Sequence, residues 1–300
     1  MEPEKKQFGL GIDIGATKIA GAIVDASGRT YEKIWHDTKN KSSEDLLKQI
    51  DEIIEVLKQK FDGEDWWESI PIGIGFAGTI NFNDQKIIFA PNIPILKEIN
   101  LTDLSNKYKE HSLFYDNDAQ CALISEMLAG VGKTEKNIIL ITLGTGIGGA
   151  IAINGRLYRG SNGGGGELGQ MMADWQMYGT TSGAKGTIEQ ILGGRYLQQL
   201  YGKSAKDLFN MVKEGQTHPF FDRWTSALTA FLKSLNFIFE PNVFIVAGSI
   251  SQSADLFLPA LNSKIETPVK VAKFIENAGV IGAGLLAISG NQQNTAEKKN

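Results

Sequence analysis

Two glycine turns and one acidic corner hold the residue types that can manage phosphate. "DIGATK" (13–18) sets Asp13 at the end of an apolar strand, followed by Gly15, Thr17 and Lys18. Glycine lets backbone approach a phosphate closely, amides and hydroxyls donate to its oxygens, and Asp13 can hold magnesium or one of its waters. "LGTGIGG" (143–149) offers a second such turn through Gly144, Thr145 and Gly146. A strand and not a helix follows it, so it is no dinucleotide fingerprint. Singly, each is as readily an ordinary hairpin turn. Two of them opening two similar stretches are hard to ascribe to chance. "DNDA" (116–119) lies between a strand and a helix. Asp118 can cap that helix, the usual work of Asp there, or serve as a general base at the crevice end of a strand. Asp116 and Asn117 can cap or turn instead, and spacing does not decide.

These groups need a scaffold. Leu10, Ile12 and Ile14 share one side of a strand running into Gly15. "IAGAIVDASGRTYEKIW" then reads as strand, turn and strand. "SSEDLLKQIDEIIEVLKQKF" is an amphipathic helix with Leu46, Ile50, Ile53 and Leu57 on one face and Ser42 with Asp45 as a capping box. "IPIGIGFAG" and "SLFYDND" read as buried strands, the latter feeding the helix "AQCALISEMLAG". "NIILITLGTGIGGAIAINGRLYRG" opens a second unit with a hairpin signal at Asn154-Gly155. Its "ITLGTGIGGAIAI" mirrors "IDIGATKIAGAIV", Gly144 matching Gly15, and two similar halves imply a cleft. Further on, "GTIEQILGGRYLQQLYG" and "DRWTSALTAFLKSLNFIFEP" each read as one helix, and "VFIVAG" as a strand. "ADLFLPALNSKI" and "GAGLLAIS" read as helices and "GNQQNTAEKKN" as a frayed polar tail. Strands alternating with helices predict an α/β fold.

Composition narrows the class. Of 300 residues 42% are hydrophobic and 21% charged, ordinary for a globular enzyme, and the net charge of −4 gives no pull toward nucleic acid or an anionic membrane. One cysteine, Cys121, allows no internal disulfide and fits a reducing compartment. With no run apolar enough for a signal peptide or membrane span, a cytoplasmic protein is expected.

In order and spacing, "GIDIGATKIAGAIVD", "IGIGFAG", "APNIP", "DNDAQCALISE", "ITLGTGIGGAIAINGRLYRG" and "GGGGELGQ" resemble the ROK family over roughly residues 8 to 290. Its members are sugar kinases of the hexokinase/actin-like fold, some of them transcriptional repressors. The resemblance implies two α/β lobes of duplicated ribonuclease H-like type: 1–117 with about 276–300 in the smaller, 118–275 in the larger. It implies Asp118 as the base that takes a proton from the sugar hydroxyl, and Asn92, Asn117, Glu167, Gln170 and Glu189 about the sugar. Asp13, Gly15, Thr17 and Lys18, with Gly144, Thr145 and Gly146, would face phosphates and magnesium, and Gly248 of "VAGS" the adenosine side. Phosphoryl transfer needs mostly positioning, charge neutralisation and one carboxylate for the proton.

Family members carry a zinc site whose ligands are one histidine and three cysteines; here those positions are Gln170, Thr180, Ser182 and Thr187. Neutral hydroxyls and an amide are poor zinc ligands, so no structural zinc is expected. Hydrogen bonds among hydroxyls and amides, or packing of Trp175 and Tyr178, would hold the loop instead. Glu189 alone reads equally as a solvated helix residue; Glu167, in a glycine run, has little helical reason to be there. The leading expectation is a magnesium-dependent kinase moving phosphate from ATP to a hexose, glucose by default, as a homodimer by resemblance only. Polyphosphate as donor, and N-acetylated amino sugars, mannose or fructose as acceptors, stay open. A repressor predicts a helix-turn-helix ahead of the first strand, where "MEPEKKQ" stands. A non-catalytic sugar-binding relative predicts loss of acids such as Asp13 and Asp118, which are present. An actin-like filament or chaperone ATPase leaves the sugar-site pattern unexplained.

Overall fold

The computed structural model describes residues 7–39, 41–174 and 186–297. In chain order they form β1 (Phe8–Ile14), β2 (Lys18–Asp25), β3 (Thr30–Asp37), α1 (Ser43–Lys60), β4 (Ile72–Phe76), β5 (Thr79–Asn81), β6 (Lys86–Phe89), α2 (Leu101–Lys107), β7 (Leu113–Asn117) and α3 (Asp118–Ala129). There follow β8 (Ile138–Leu143), β9 (Ile147–Ile153), β10 (Arg156–Leu157), α4 (Glu189–Leu192), α5 (Gly194–Tyr201), α6 (Ala205–Lys213), α7 (Pro219–Phe239), β11 (Val243–Ala247), α8 (Ala254–Asn262), β12 (Val269–Val271) and α9 (Ala278–Glu297). The chain divides into two compact units: 1–133, 159–164 and 277–300 in one, 134–158 and 165–276 in the other. Residues 118–133 and 159–164 thus fall with the first unit, where the sequence reading set them in the second.

In unit 1 the sheet runs β3-β2-β1-β4-β7. The first three strands are antiparallel neighbours, and β4 and β7 run parallel to β1. Alternation along β1 sends Leu10, Ile12 and Ile14 into one core with Ile50, Ile53 and Leu57 of α1. Ser42 caps α1 by accepting the Asp45 N–H at 3.1 Å, as the spacing predicts. The opposite face is glycine. A Cβ on Gly11 would stand 2.0 Å from the Val280 carbonyl oxygen, and one on Gly73 1.8 Å from that of Ala283. Helix α9 therefore lies against β1 and β4 backbone to backbone, which no larger residue permits.

Unit 2 repeats the plan: its order is β10-β9-β8-β11-β12, with the same succession of antiparallel and parallel pairs. The mirrored sequences therefore occupy equivalent strands. The β9–β10 turn carries positive φ at both Asn154 (53°) and Gly155 (75°), the hairpin geometry expected of Asn-Gly. Trp224 of α7 is buried in the core and its indole N–H donates to the Leu192 carbonyl at 2.9 Å, fixing the end of α4.

Two expectations need correcting. The segment read as one helix is two, α4 and α5, broken at Gly193, where a Cβ would come 2.6 Å from the Glu189 carbonyl oxygen. The tail read as frayed continues α9 in helical form to Glu297; Pro and Gly aside, polarity alone does not end a helix.

Candidate active site

Unit 1 gathers the acids. Asp13 leaves β1 on its glycine face, where a Cβ on Gly279 of α9 would stand 2.5 Å from the carboxylate. Its pKa is pushed up to about 7, first by burial and next by the charge of Asp118, with Lys18 and Lys33 opposing. Asp118 opens α3. It remains accessible to solvent, yet the protein packed around its carboxylate raises its pKa against the hydrogen bond it accepts from the Ala119 N–H at 2.8 Å. A reachable carboxylate with a raised pKa is a better proton acceptor than an ordinary one, which suits proton transfer.

The cap of α3 is Asn117 rather than Asp118. Its Oδ1 accepts the N–H groups of Ala119 (2.9 Å) and Gln120 (3.4 Å), while Nδ2 donates to the Gly78 carbonyl at 3.1 Å. The Asn117 side chain also hydrogen-bonds the Asp118 carboxylate, opposing the rise in that acid's pKa. The preceding Asp116, buried, receives the Arg159 guanidinium. Asn92 is exposed in the turn closed by the Ile93 N–H on the Ala90 carbonyl. In the first glycine turn the Gly15 N–H donates to the Lys18 carbonyl at 2.9 Å, and Thr38 Oγ donates to the Gly15 carbonyl at 2.7 Å. Thr17 and Lys18 are exposed there, and the Lys18 ammonium rests 4.7 Å from the centre of the Trp35 ring.

Unit 2 gathers the second turn and the two glutamates. The Gly144 carbonyl accepts the Gly194 N–H (2.8 Å) and the Thr145 carbonyl that of Arg195 (2.9 Å), so the turn is tied to the start of α5. Glu189 is half-buried and bonded: Oε2 accepts the Ile147 N–H at 2.9 Å, and a Cβ on Gly146 would lie 2.3 Å from that oxygen. Glu167 and Gln170 are exposed on one 3-10 turn, the Gln170 N–H donating to the Glu167 carbonyl at 3.1 Å. That turn packs on β9 through Gly169, whose Cβ would meet the Ile147 carbonyl oxygen at 2.0 Å. Ile147 thus links the Glu167–Gln170 turn to Glu189. Gly248, at φ 84°, abuts the Leu143 carbonyl; the next residue, Ser249, lines a groove of about 270 Å³ with Gly144, Thr145, Arg195, Ser204 and Lys206. Arg195 and Lys206 were not legible, because only folding brings α5 and α6 to the turn at 144.

No group of three or more His, Cys, Asp and Glu able to hold a metal is present among the described residues. Magnesium carried by donor phosphates needs fewer: one or two carboxylates and water. Asp13 and Asp118, whose charges repel, fit that demand. Of the family's zinc positions, Gln170 is exposed and Thr187 buried; Thr180, Ser182, Trp175 and Tyr178 lie outside the described residues. The base of this loop is closed by the Gly186 carbonyl, which accepts the N–H groups of Ala173 (2.7 Å) and Asp174 (3.0 Å). Gln190 adds a bridge, accepting the Gly186 N–H and donating to the Tyr196 hydroxyl at 2.9 Å.

A duplicated five-stranded sheet whose first hairpin bears a phosphate-type glycine turn defines the hexokinase/actin-like ATPase fold. The ROK family model matches residues 9–290, and the chain belongs to that family. A glucokinase of Thermotoga maritima is 29% identical, the alignment covering 91% of this chain and 95% of that one. Among solved structures, a ROK hexokinase from Thermus thermophilus superposes with a TM-score of 0.79 at 25% identity, covering 96% of this chain and all of that one. A ROK family glucokinase from Streptomyces griseus, in complex with glucose and AMPPNP, gives 0.77 at 27% identity over 94% of this chain and all of that one.

Proposed function

We propose that this protein is a sugar kinase that transfers the terminal phosphate of ATP to a hexose hydroxyl, glucose first among the acceptors. The reading rests above all on the pairing of Asp13 with the accessible Asp118 at the head of α3. Asp118 accepts the proton of the sugar hydroxyl as its oxygen bonds to the terminal phosphorus and the bond to the nucleoside diphosphate oxygen breaks. Asn117, beside the base, and Asn92, Glu167, Gln170 and Glu189 read the other hydroxyls. A sugar lacking one of them leaves polar groups unpaired, and that gives the selectivity. The turns at Gly15, Thr17 and Lys18 and at Gly144, Thr145 and Gly146 receive the phosphates, with Gly248 at the adenosine end. Magnesium, when bound, neutralises the phosphate charge, and Asp13 is the residue to hold it.

The test is a phosphorylation screen. Purified protein with magnesium, and ATP or polyphosphate, is offered glucose, mannose, fructose and N-acetylated hexosamines, with sugar phosphate detected by mass. Glucose 6-phosphate from ATP is the expected product. A folded sample that binds sugar but yields no product from any pair would overturn the proposal in favour of a binding or regulatory role.

A further inference from the structure

Residues 159–164 fall within unit 1, although the chain on either side belongs to unit 2. Two features seat this excursion. A Cβ on Gly163 would stand 1.6 Å from the Ile80 carbonyl oxygen, so the backbone is pressed onto β5 at a position, φ 83°, that glycine favours. The other is Arg159, which donates from Nε (3.0 Å) and Nη2 (2.5 Å) to Oδ2 of Asp116.

Every polar atom of the Asp116 carboxylate has an assignment. Oδ2 takes the guanidinium and Oδ1 takes the Asn117 backbone N–H at 2.9 Å. The Asp116 side chain is 2% exposed, against 34% for Arg159. A buried carboxylate needs a partner charge to offset its lost hydration, and the Arg159 guanidinium is placed to be that partner. The guanidinium carbon itself lies over the Phe82 ring, 5.3 Å from its centre, and that ring stacks on Tyr115 of β7 at 6.1 Å and 7°. From Asp116 the chain of contacts is short: its Oδ1 fixes Asn117, Asn117 caps α3 and grips Gly78, and the next residue is Asp118.

We infer that Arg159 is a positioning residue for the base: acting through Asp116 and Asn117, it sets the head of α3 and thereby the carboxylate of Asp118. The assignment of Asp118 as base rests on the kinase reading; the geometric claim about α3 does not. A placement error of an ångström at a reacting group costs on the order of a hundredfold in rate, so a contact two residues upstream of Asp118 suffices. Lysine is a poor substitute, since a point charge cannot hold both the carboxylate and the aromatic face as a planar guanidinium does.

The experiment pairs kinetics with hydrogen exchange on the full chain. Arg159→Met is expected to lower kcat roughly tenfold to a hundredfold while the KM for sugar moves less than about threefold, with faster amide exchange at Ala119 and Gln120. Arg159→Lys should fall between. The double variant Arg159→Met with Asp116→Asn, which removes the stranded charge together with its partner, should regain most of the exchange protection and of kcat over Arg159→Met. If the Met variant keeps wild-type kcat or wild-type protection at Ala119 and Gln120, the inference is overturned. Should the wild-type protein phosphorylate no sugar, yet Arg159→Met still lose that protection and the double variant regain it, the positioning of α3 stands and the kinase reading falls instead. A Met variant that fails to fold, with a double variant that folds but leaves those amides unprotected, also counts against it.

Discussion

The Oε2 atom of Glu189 accepts the backbone N–H of Ile147 at 2.9 Å, so an acid assigned to the sugar is tied to the residue that follows the second glycine turn. Gly146 leaves the room: with any side chain there the carboxylate has no place. On the proposed function, Glu189 would then bear on the phosphate turn as well as on the acceptor. Glu189→Ala should raise the KM for ATP about tenfold together with that for sugar, and cost about 1–3 kcal/mol by leaving the Ile147 N–H unpaired. Glu189→Gln keeps an acceptor oxygen, so its KM for ATP should stay near wild type while the KM for sugar rises. Initial rates with both substrates varied separate the two; an Ala variant with unchanged ATP KM would show that the tie has no bearing on the donor.

Asp118→Asn should lower kcat by roughly 10²–10⁴, the usual worth of a general base. The fold should hold, because the cap of α3 comes from Asn117. Rates of sugar phosphate formation and a thermal melt check both halves. Turnover at the wild-type rate removes Asp118 from the role of base.

Asp13 gives the pH dependence its sign. Its folded pKa of about 7 lies above the ordinary 3.8, so between those values the folded chain binds more protons than the unfolded one. Stability from this group is complete below about pH 4 and is lost as pH rises through 7. Asp13→Asn removes that slope, so without magnesium the unfolding free energy of the variant relative to wild type should rise from pH 5 to pH 8. Urea unfolding at each pH measures the difference, and a difference that falls over this range contradicts the assignment.

The bridge made by Gln190, between Gly186 and Tyr196, ties the loop base by hydrogen bonds. Treatment with EDTA followed by return of magnesium should therefore leave the melting temperature unchanged. A fall of several degrees that zinc reverses would show a metal at Gln170, Thr180, Ser182 and Thr187 after all.

What the sequence disclosed, it disclosed through local rules. Leu10, Ile12 and Ile14 alternate, Ser42 precedes Asp45 by the capping interval, and Asn154-Gly155 takes the one turn that suits it; each is decided within a few residues. The repeat of "DIGATK" as "LGTGIGG" likewise foretold two similar halves that each open on a β-hairpin. Identity of the cap on α3 was beyond reach, since Asn117 and Asp118 are both good caps and only backbone geometry chooses. Arg159 with Asp116 and Glu189 with Ile147 are joined across long stretches of chain, and no period or motif records such pairs. The break at Gly193 was hidden because glycine in a helix is merely costly; the close approach of the Glu189 carbonyl makes it necessary.

The backbone contact of α9 with β1 and β4 also sets a timetable for synthesis. At ribosomal rates of about 5–20 residues per second, Val280 is made roughly ten seconds to a minute after Gly11, the glycine it covers. Until then the nascent chain carries Gly11 and Gly73 without the helix that covers them, while the residues of unit 2 have all been translated. The opening strands, though earliest off the ribosome, thus wait for α9 before their glycine face is covered.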